Sequence, residues 1–317
     1  MASSFIISLD FELHWGVRDK KTVGGPYRRN LMGARTAIPF MLKLFEMYGA
    51  KATWSTVGML FAESKEEWLA YAPERKPNYT NSKLDAYQEV IGKNEKEDPL
   101  HFAHSIIKRI SETAGQEIST HTWSHYYCLE AGQTKEDFRA DVDAAVRIAT
   151  DKGYKLESIV FPRNQYNPDY DDVLLYHGIN VIRRNPSHPF YREDDGDGST
   201  ELWKRGGRLA DAYVPVSGYQ NGKTEKLSSE LISTVGSRFL RPYSQKLRKL
   251  ENLRLHRIKS EMKKAAKSGM DYHLWWHPHN FGTNTEENLY ILERILEHFK
   301  VLEKEYGMES KGMAQLR

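Results

Sequence analysis

The sequence predicts an α/β protein built on a parallel sheet, and three observations carry that expectation. Short apolar runs end in polar residues, as Phe5–Leu9 ends in Asp10-Phe11-Glu12. Helically spaced stretches separate these runs, as Arg35–Tyr48 does before Gly49. A second strand-like run, Lys51–Val57, follows at once, giving the strand–helix–strand rhythm of parallel sheets.

The remaining elements follow in order. Residues 62–100 interrupt the rhythm with Pro73, Pro77 and Pro99 and with Trp68, Tyr71, Tyr79 and Tyr87. They read as a partly helical insertion, either over the mouth of the fold or on its surface with the aromatics packed beneath. A helix is expected at His101–Thr113, then a strand at Glu117–Thr120. The amphipathic stretch Lys135–Lys152 ends at Gly153, and an apolar strand, Leu156–Phe161, closes on Pro162-Arg163-Asn164. Helix Tyr170–His177 and strand Ile179–Ile182 follow, and turn-rich residues 184–201 read as a long loop. Arg238–Lys267 reads as a basic helix whose charges form a solvated face, or else meet anionic lipid or a substrate phosphate. An aromatic strand, Tyr272–Trp276, and a final helix, Thr285–Lys304, complete one domain spanning 1–317.

Composition narrows the function. The chain has 317 residues, 39% of them hydrophobic, enough for a substantial core. A formal net charge of +3 is too balanced to suggest nucleic-acid binding. The single cysteine, Cys128, excludes an internal disulfide and any cysteine-based zinc site. No export signal precedes the first strand and no run reaches the roughly 18 apolar residues of a membrane span, so a cytoplasmic protein is expected.

The most informative stretch is Glu117-Ile118-Ser119-Thr120-His121-Thr122-Trp123-Ser124-His125. Histidines at i and i+4 would share one face of a helical turn and could hold one ion, although such a pair arises by chance in a chain with 12 histidines. Three other polar clusters also sit at strand ends: Asp10/Glu12, Arg163/Asn164 and His277/His279. In a parallel barrel these ends converge, supplying the parts of a metal-assisted hydrolase.

On Ser8-Leu9-Asp10-Phe11-Glu12, the histidine box, Phe161-Pro162-Arg163-Asn164 and Leu274-Trp275-Trp276-His277, the chain resembles the polysaccharide deacetylase family, with its NodB homology domain. The resemblance implies a distorted (β/α)7-like barrel with insertions, one divalent ion, most often Zn2+, and hydrolysis of acyl groups on sugars. It implies His121 and His125 as metal ligands, Asp10 as general base, Arg163 as the arginine that orients the base, and His277 as general acid. The family's usual Asp-Asp pair is replaced by Asp10-Phe11-Glu12. Side chains two apart on a strand point the same way, so Glu12 can complete the ligand set; the alternative puts Asp10 on the metal and Glu12 behind it. Asn164, His279 and Trp275 are the candidate substrate contacts, Trp275 as pocket wall.

The expected function is removal of an N-acyl group from an amino sugar on the way to a surface polysaccharide or lipopolysaccharide, a nucleotide- or lipid-linked sugar fitting better than an extracellular polymer. A lipid-linked substrate would entail peripheral membrane contact. Two rivals are a cyclic-amide hydrolase on the same barrel and a non-catalytic protein binding carbohydrate or lipid phosphate. Phe11 favours the second rival, and the joint presence of base, acid and ligands opposes it.

Overall fold

A computed structural model describes residues 3–191, 202–228 and 230–317. Its strands are β1 (Ser4–Phe11), β2 (Ala52–Thr56), β3 (Gln116–Thr120), β4 (Ser158–Val160), β5 (Val181–Arg184), β6 (Glu225–Lys226), β7 (Ile232–Val235), β8 (Arg238–Phe239), β9 (Tyr272–Trp276) and β10 (Glu309–Lys311). The helices are α1 (Arg28–Tyr48), α2 (Lys65–Tyr71), α3 (His104–Glu112), α4 (Lys135–Asp151), α5 (Asp171–Tyr176), α6 (Leu202–Asp211), α7 (Glu251–Ser268) and α8 (Thr285–Tyr306).

The sheet runs β6-β7-β5-β4-β3-β2-β1-β9-β8, with β10 also paired to β1. Every pairing is parallel except β6 with β7. Among the described residues no ladder joins β7 to β8, yet only Gly236 and Ser237 separate them in the chain. Contacts bridge that seam: Thr234 Oγ1 lies 3.3 Å from His273 Nδ1, and Ser237 Oγ accepts from the His273 N–H at 3.1 Å. The architecture is the expected distorted α/β barrel, left without a closing ladder.

Strand periodicity explains the two faces. Leu9, Phe11, Trp54 and Ile118 pack with Ile38, Met41 and Phe45 of α1 and Ile295 and Phe299 of α8 in the main core. The alternate residues carry polar groups that bond across strands. Ser8 Oγ accepts from Arg183 and faces His273 Nε2, both at 2.8 Å, while Ser158 Oγ reaches Ser119 Oγ at 2.9 Å. Below them, Ile6, Val160, Val181 and Ile232 cluster with Met313 of the C-terminal turn.

Several boundaries differ from the sequence expectation. β1 continues through Asp10 and Phe11, because both pair with β2. α1 starts at Arg28 rather than Arg35; its first turns lie against the loop after β9, where a Cβ on Gly33 would fall 1.9 Å from the Gly282 carbonyl oxygen. β5 extends to Arg184, beyond Ile182. α6 and β7 were not foreseen, and part of the expected loop, 192–201, lies outside the described residues.

The basic segment also departs from expectation. It is a strand, a short 3₁₀ stretch and then α7, not one helix. Arg238, Arg254 and Arg257 are buried rather than solvated. Arg238 bonds Glu261 and Asp211, Arg254 bonds Glu251, and Arg257 meets Asp211 and Glu261. A buried guanidinium needs such partners, so these arginines serve the interior, while Lys263, Lys264 and Lys267 stay exposed. Of the insertion's aromatics, Trp68 and Tyr79 are buried, with Tyr79 against Tyr126 and Tyr127 beside the histidine box.

Candidate active site

β1 delivers two carboxylates to the carboxyl end of the sheet. Asp10 is still in the strand, and Glu12 stands two residues on, as the chain turns into the short 3₁₀ stretch Leu13–Gly16. Gly16 leaves room for Glu12, since a Cβ there would fall 1.9 Å from its carboxyl carbon.

The two histidines of the box reach Glu12 from a loop rather than from the helical turn the sequence suggested. Thr122 and His125 both adopt left-handed backbone conformations (φ 64° and 56°). Buried Asp141 on α4 fixes this shape by accepting from the Trp123 and Ser124 N–H groups and from the Ser124 hydroxyl. The imidazoles still converge, with ring centres 5.0 Å apart. Glu12 Oε2 lies 3.0 Å from His125 Nε2 and 3.5 Å from His121 Nε2. His121 Nδ1 faces the Val160 carbonyl at 2.7 Å, which fixes Nδ1–H as donor and leaves Nε2 as a lone-pair ligand.

Both carboxylates are held ionised. Burial alone would raise the Glu12 pKa, but His277, His121 and His125 hold it well below the usual range. Burial likewise opposes ionisation of Asp10, and the charge of Arg183, then of His121 and His277, overcomes it. Burial drives His125 down to about 3 against the pull of Glu12, so this imidazole is neutral, as ligation requires. Glu12, His121 and His125 offer ligand atoms within 4.8 Å of one another and could hold a divalent ion.

The arginine beside Asp10 is not the one the sequence suggested. Arg163 bonds Asp19 at 2.6 Å and Glu130 at 3.0 Å and stacks over Tyr127. Arg183 on β5 grips Asp10 with two bonds, at 2.7 and 2.8 Å. It also donates to Asn164 Oδ1 at 2.9 Å and lies 4.3 Å from the Trp275 ring centre. The signal was legible: Val181 and Arg183 alternate on one face of β5, but ending the strand at Ile182 hid it. Arg163 and Asn164 have positive φ (54° and 53°), a backbone twist that turns Arg163 away toward Asp19.

His277 follows β9, with Nε2 3.8 Å from Asp10 Oδ2 and 3.6 Å from Glu12 Oε1. Its side chain is 25% exposed, unlike those of the carboxylates, so it faces the approach to the site. His279, expected as a substrate contact, is buried and stacked behind His277 with ring centres 5.0 Å apart. Asn164 is engaged by Arg183, and Trp275 lines a neighbouring cavity of about 290 Å³. Tyr191, Arg208, Arg238, Arg241 and His277 also line that cavity. Arg238 is neutralised by its carboxylates, whereas Arg241 has no carboxylate partner among the described residues. Burial, with Arg254 and Arg208 nearby, lowers the Arg241 pKa against the opposing influence of Tyr213.

Residues 32–182, just under half of the chain, match the family model described as polysaccharide deacetylase. A search of curated proteins finds no match. Among solved structures the chain is similar to a putative polysaccharide deacetylase from Mycobacterium smegmatis (12% identity, TM-score 0.62, 99% of this chain and 88% of that one). It is also similar to a probable polysaccharide deacetylase from Pseudomonas aeruginosa PAO1 (11% identity, TM-score 0.55, 99% and 90%). An allantoinase shares the architecture as well (11% identity, TM-score 0.55, 99% and 88%). At these identities the structural likeness concerns the fold.

Proposed function

We propose, from the polysaccharide deacetylase match over residues 32–182, that this chain is a metal-dependent hydrolase that removes an N-acyl group, acetyl first, from an amino sugar. The observation that carries this reading is the convergence of Glu12, His121 and His125 beside Asp10 and His277. The three residues fit a divalent ion, zinc above all: two imidazoles and one carboxylate, with His121 oriented from behind by a carbonyl. Such an ion supplies polarisation of the acyl carbonyl and acidification of a bound water.

The chain's own groups do the rest. Asp10, ionised and aimed by the two bonds of Arg183, takes the proton from the attacking water. Arg183 is therefore a positioning residue, itself held by Ser8, Asn164 and the Trp275 ring. His277, exposed toward incoming substrate, donates a proton to the leaving nitrogen. His279 stacks behind it and limits its rotation.

The adjoining cavity favours an anionic substrate. Arg208 and Arg241 line the same cavity as His277 without carboxylate partners among the described residues, as a phosphate of a nucleotide- or lipid-linked sugar would require. On this reading the cavity would take the phosphate, and Lys263, Lys264 and Lys267 of α7 would face an anionic membrane if the substrate is lipid-linked. Such a substrate suits a cytoplasmic step toward a surface polysaccharide or lipopolysaccharide.

Acyl release from free, nucleotide-linked and lipid-linked N-acetyl amino sugars tests the reading, measured with zinc and after chelation. Zinc-restored release that His121→Ala abolishes is the expected result. Equal activity in zinc-free protein and in His121→Ala would overturn the metal role.

A further inference from the structure

A second cluster of two histidines and a glutamate lies outside the site just described. His14 Nε2 is 3.6 Å and His101 Nε2 3.9 Å from the same oxygen, Glu89 Oε2. Ligand atoms of the three residues all fall within 4.8 Å of one another. Both imidazoles are 1% exposed, and their ring centres are 4.9 Å apart.

The hydrogen bonds around the cluster leave one buried ring nitrogen without a partner. His101 Nδ1 lies 2.7 Å from Asp98 Oδ2 and donates to it, which turns Nε2 toward Glu89. That Nε2 is buried with no hydrogen-bond partner, and what faces it is a carboxylate oxygen. A buried ring nitrogen without a hydrogen-bond partner, facing a carboxylate oxygen, is the pair of ligand atoms that a bound cation would satisfy. A carboxylate bonded to the far nitrogen of an imidazole is also the arrangement that orients metal-ligating histidines. Separations of 3.6 and 3.9 Å need only a few tenths of an ångström of contraction to suit tetrahedral zinc, whose bonds are about 2.0–2.2 Å. The Arg18 guanidinium is engaged by the Trp15 and Leu84 carbonyls rather than by Glu89.

We propose that His14, Glu89 and His101 form a second zinc site, structural in role, that pins the 62–100 insertion to the turn following β1. The residues come from both sides of that junction. His14 sits two residues after Glu12, and its N–H donates to the Leu100 carbonyl at 3.3 Å. The Trp15 indole donates to the His101 carbonyl at 3.1 Å, closing the packing around the cluster. Glu89, 24% exposed, is the entry side. The ion neutralises the facing lone pairs and cross-links segments about 80 residues apart, as closed zinc sites do.

The test is zinc per chain on the full-length protein, equilibrated with buffered zinc, for wild type, Glu89→Gln and His121→Ala/His125→Ala. Two, one and one equivalents are expected. Zinc should also raise the Tm of His121→Ala/His125→Ala, and adding Glu89→Gln should abolish that rise. One equivalent in wild type that Glu89→Gln retains and the double variant loses overturns the second site. One equivalent that Glu89→Gln removes and the double variant keeps upholds it and instead defeats the catalytic ion. A wild type without zinc overturns both.

Discussion

Two clusters of the same composition, one glutamate and two histidines, are both anchored in the turn from Glu12 to His14. Around Glu12 stand an ionised aspartate gripped by an arginine, a partly exposed histidine and a cavity lined by arginines. Around Glu89 stand Asp98, an indole and main-chain carbonyls. The difference teaches that a ligand set does not define chemistry. What surrounds it decides whether an ion there has a base, an acid and room for substrate.

The sharpest way to break the comparison is Asp10→Asn, which leaves both clusters intact. Turnover should fall by about 10²–10⁴ in an acyl-release assay, the range for a lost general base. Zinc content should not change; loss of an equivalent would move Asp10 into the ligand set and displace Glu12.

Arg183→Gln should come next, lowering kcat by roughly 10–10³ on the same reasoning. The charge that depresses the Asp10 pKa disappears, so that pKa rises and activity is lost at a higher pH on the acid side. Arg163→Gln should leave that limb in place, since Arg163 bonds Asp19 and Glu130 instead. A shifted limb in Arg163→Gln, with none in Arg183→Gln, would restore the sequence-based assignment.

Glu12→Gln and Glu89→Gln form a matched pair. The first should act mainly on turnover. The second should act mainly on stability: at free zinc near 100 times Kd a bound ion contributes about 3 kcal/mol, and roughly 4–5 °C of Tm should be lost. Calorimetry and acyl release on the same preparations separate the two.

The smallest effect is on acid stability. Burial lowers His279 to about 3, against an ordinary value of 6.5. The unfolded chain therefore binds a proton between those limits that the folded chain refuses, and stability falls as pH drops through that window. His279→Asn should flatten the decline in Tm from pH 7 to 4 by a few degrees, as expected if one such group is removed.

Much of the site was legible beforehand. Asp10, Glu12, His121, His125 and His277 all stand at ends of apolar strands, where chemistry collects in parallel folds, and the structure brings them together. Arg183 was hidden by one misjudged strand end. The inward turn of Arg238, Arg254 and Arg257 was hidden because a basic run looks solvated until its carboxylate partners, Asp211, Glu251 and Glu261, are placed beside it.

The sequence by itself determined the parallel α/β order, the two faces of each strand and the motif residues of the site, because period and residue type are local properties of a chain. Only the tertiary structure decided which arginine holds Asp10, that the histidine box is a loop shaped by Asp141, and that His14, Glu89 and His101 meet. Those are pairings between segments far apart in the chain, and charge and hydrogen-bond satisfaction choose them only once burial has removed water as the alternative partner.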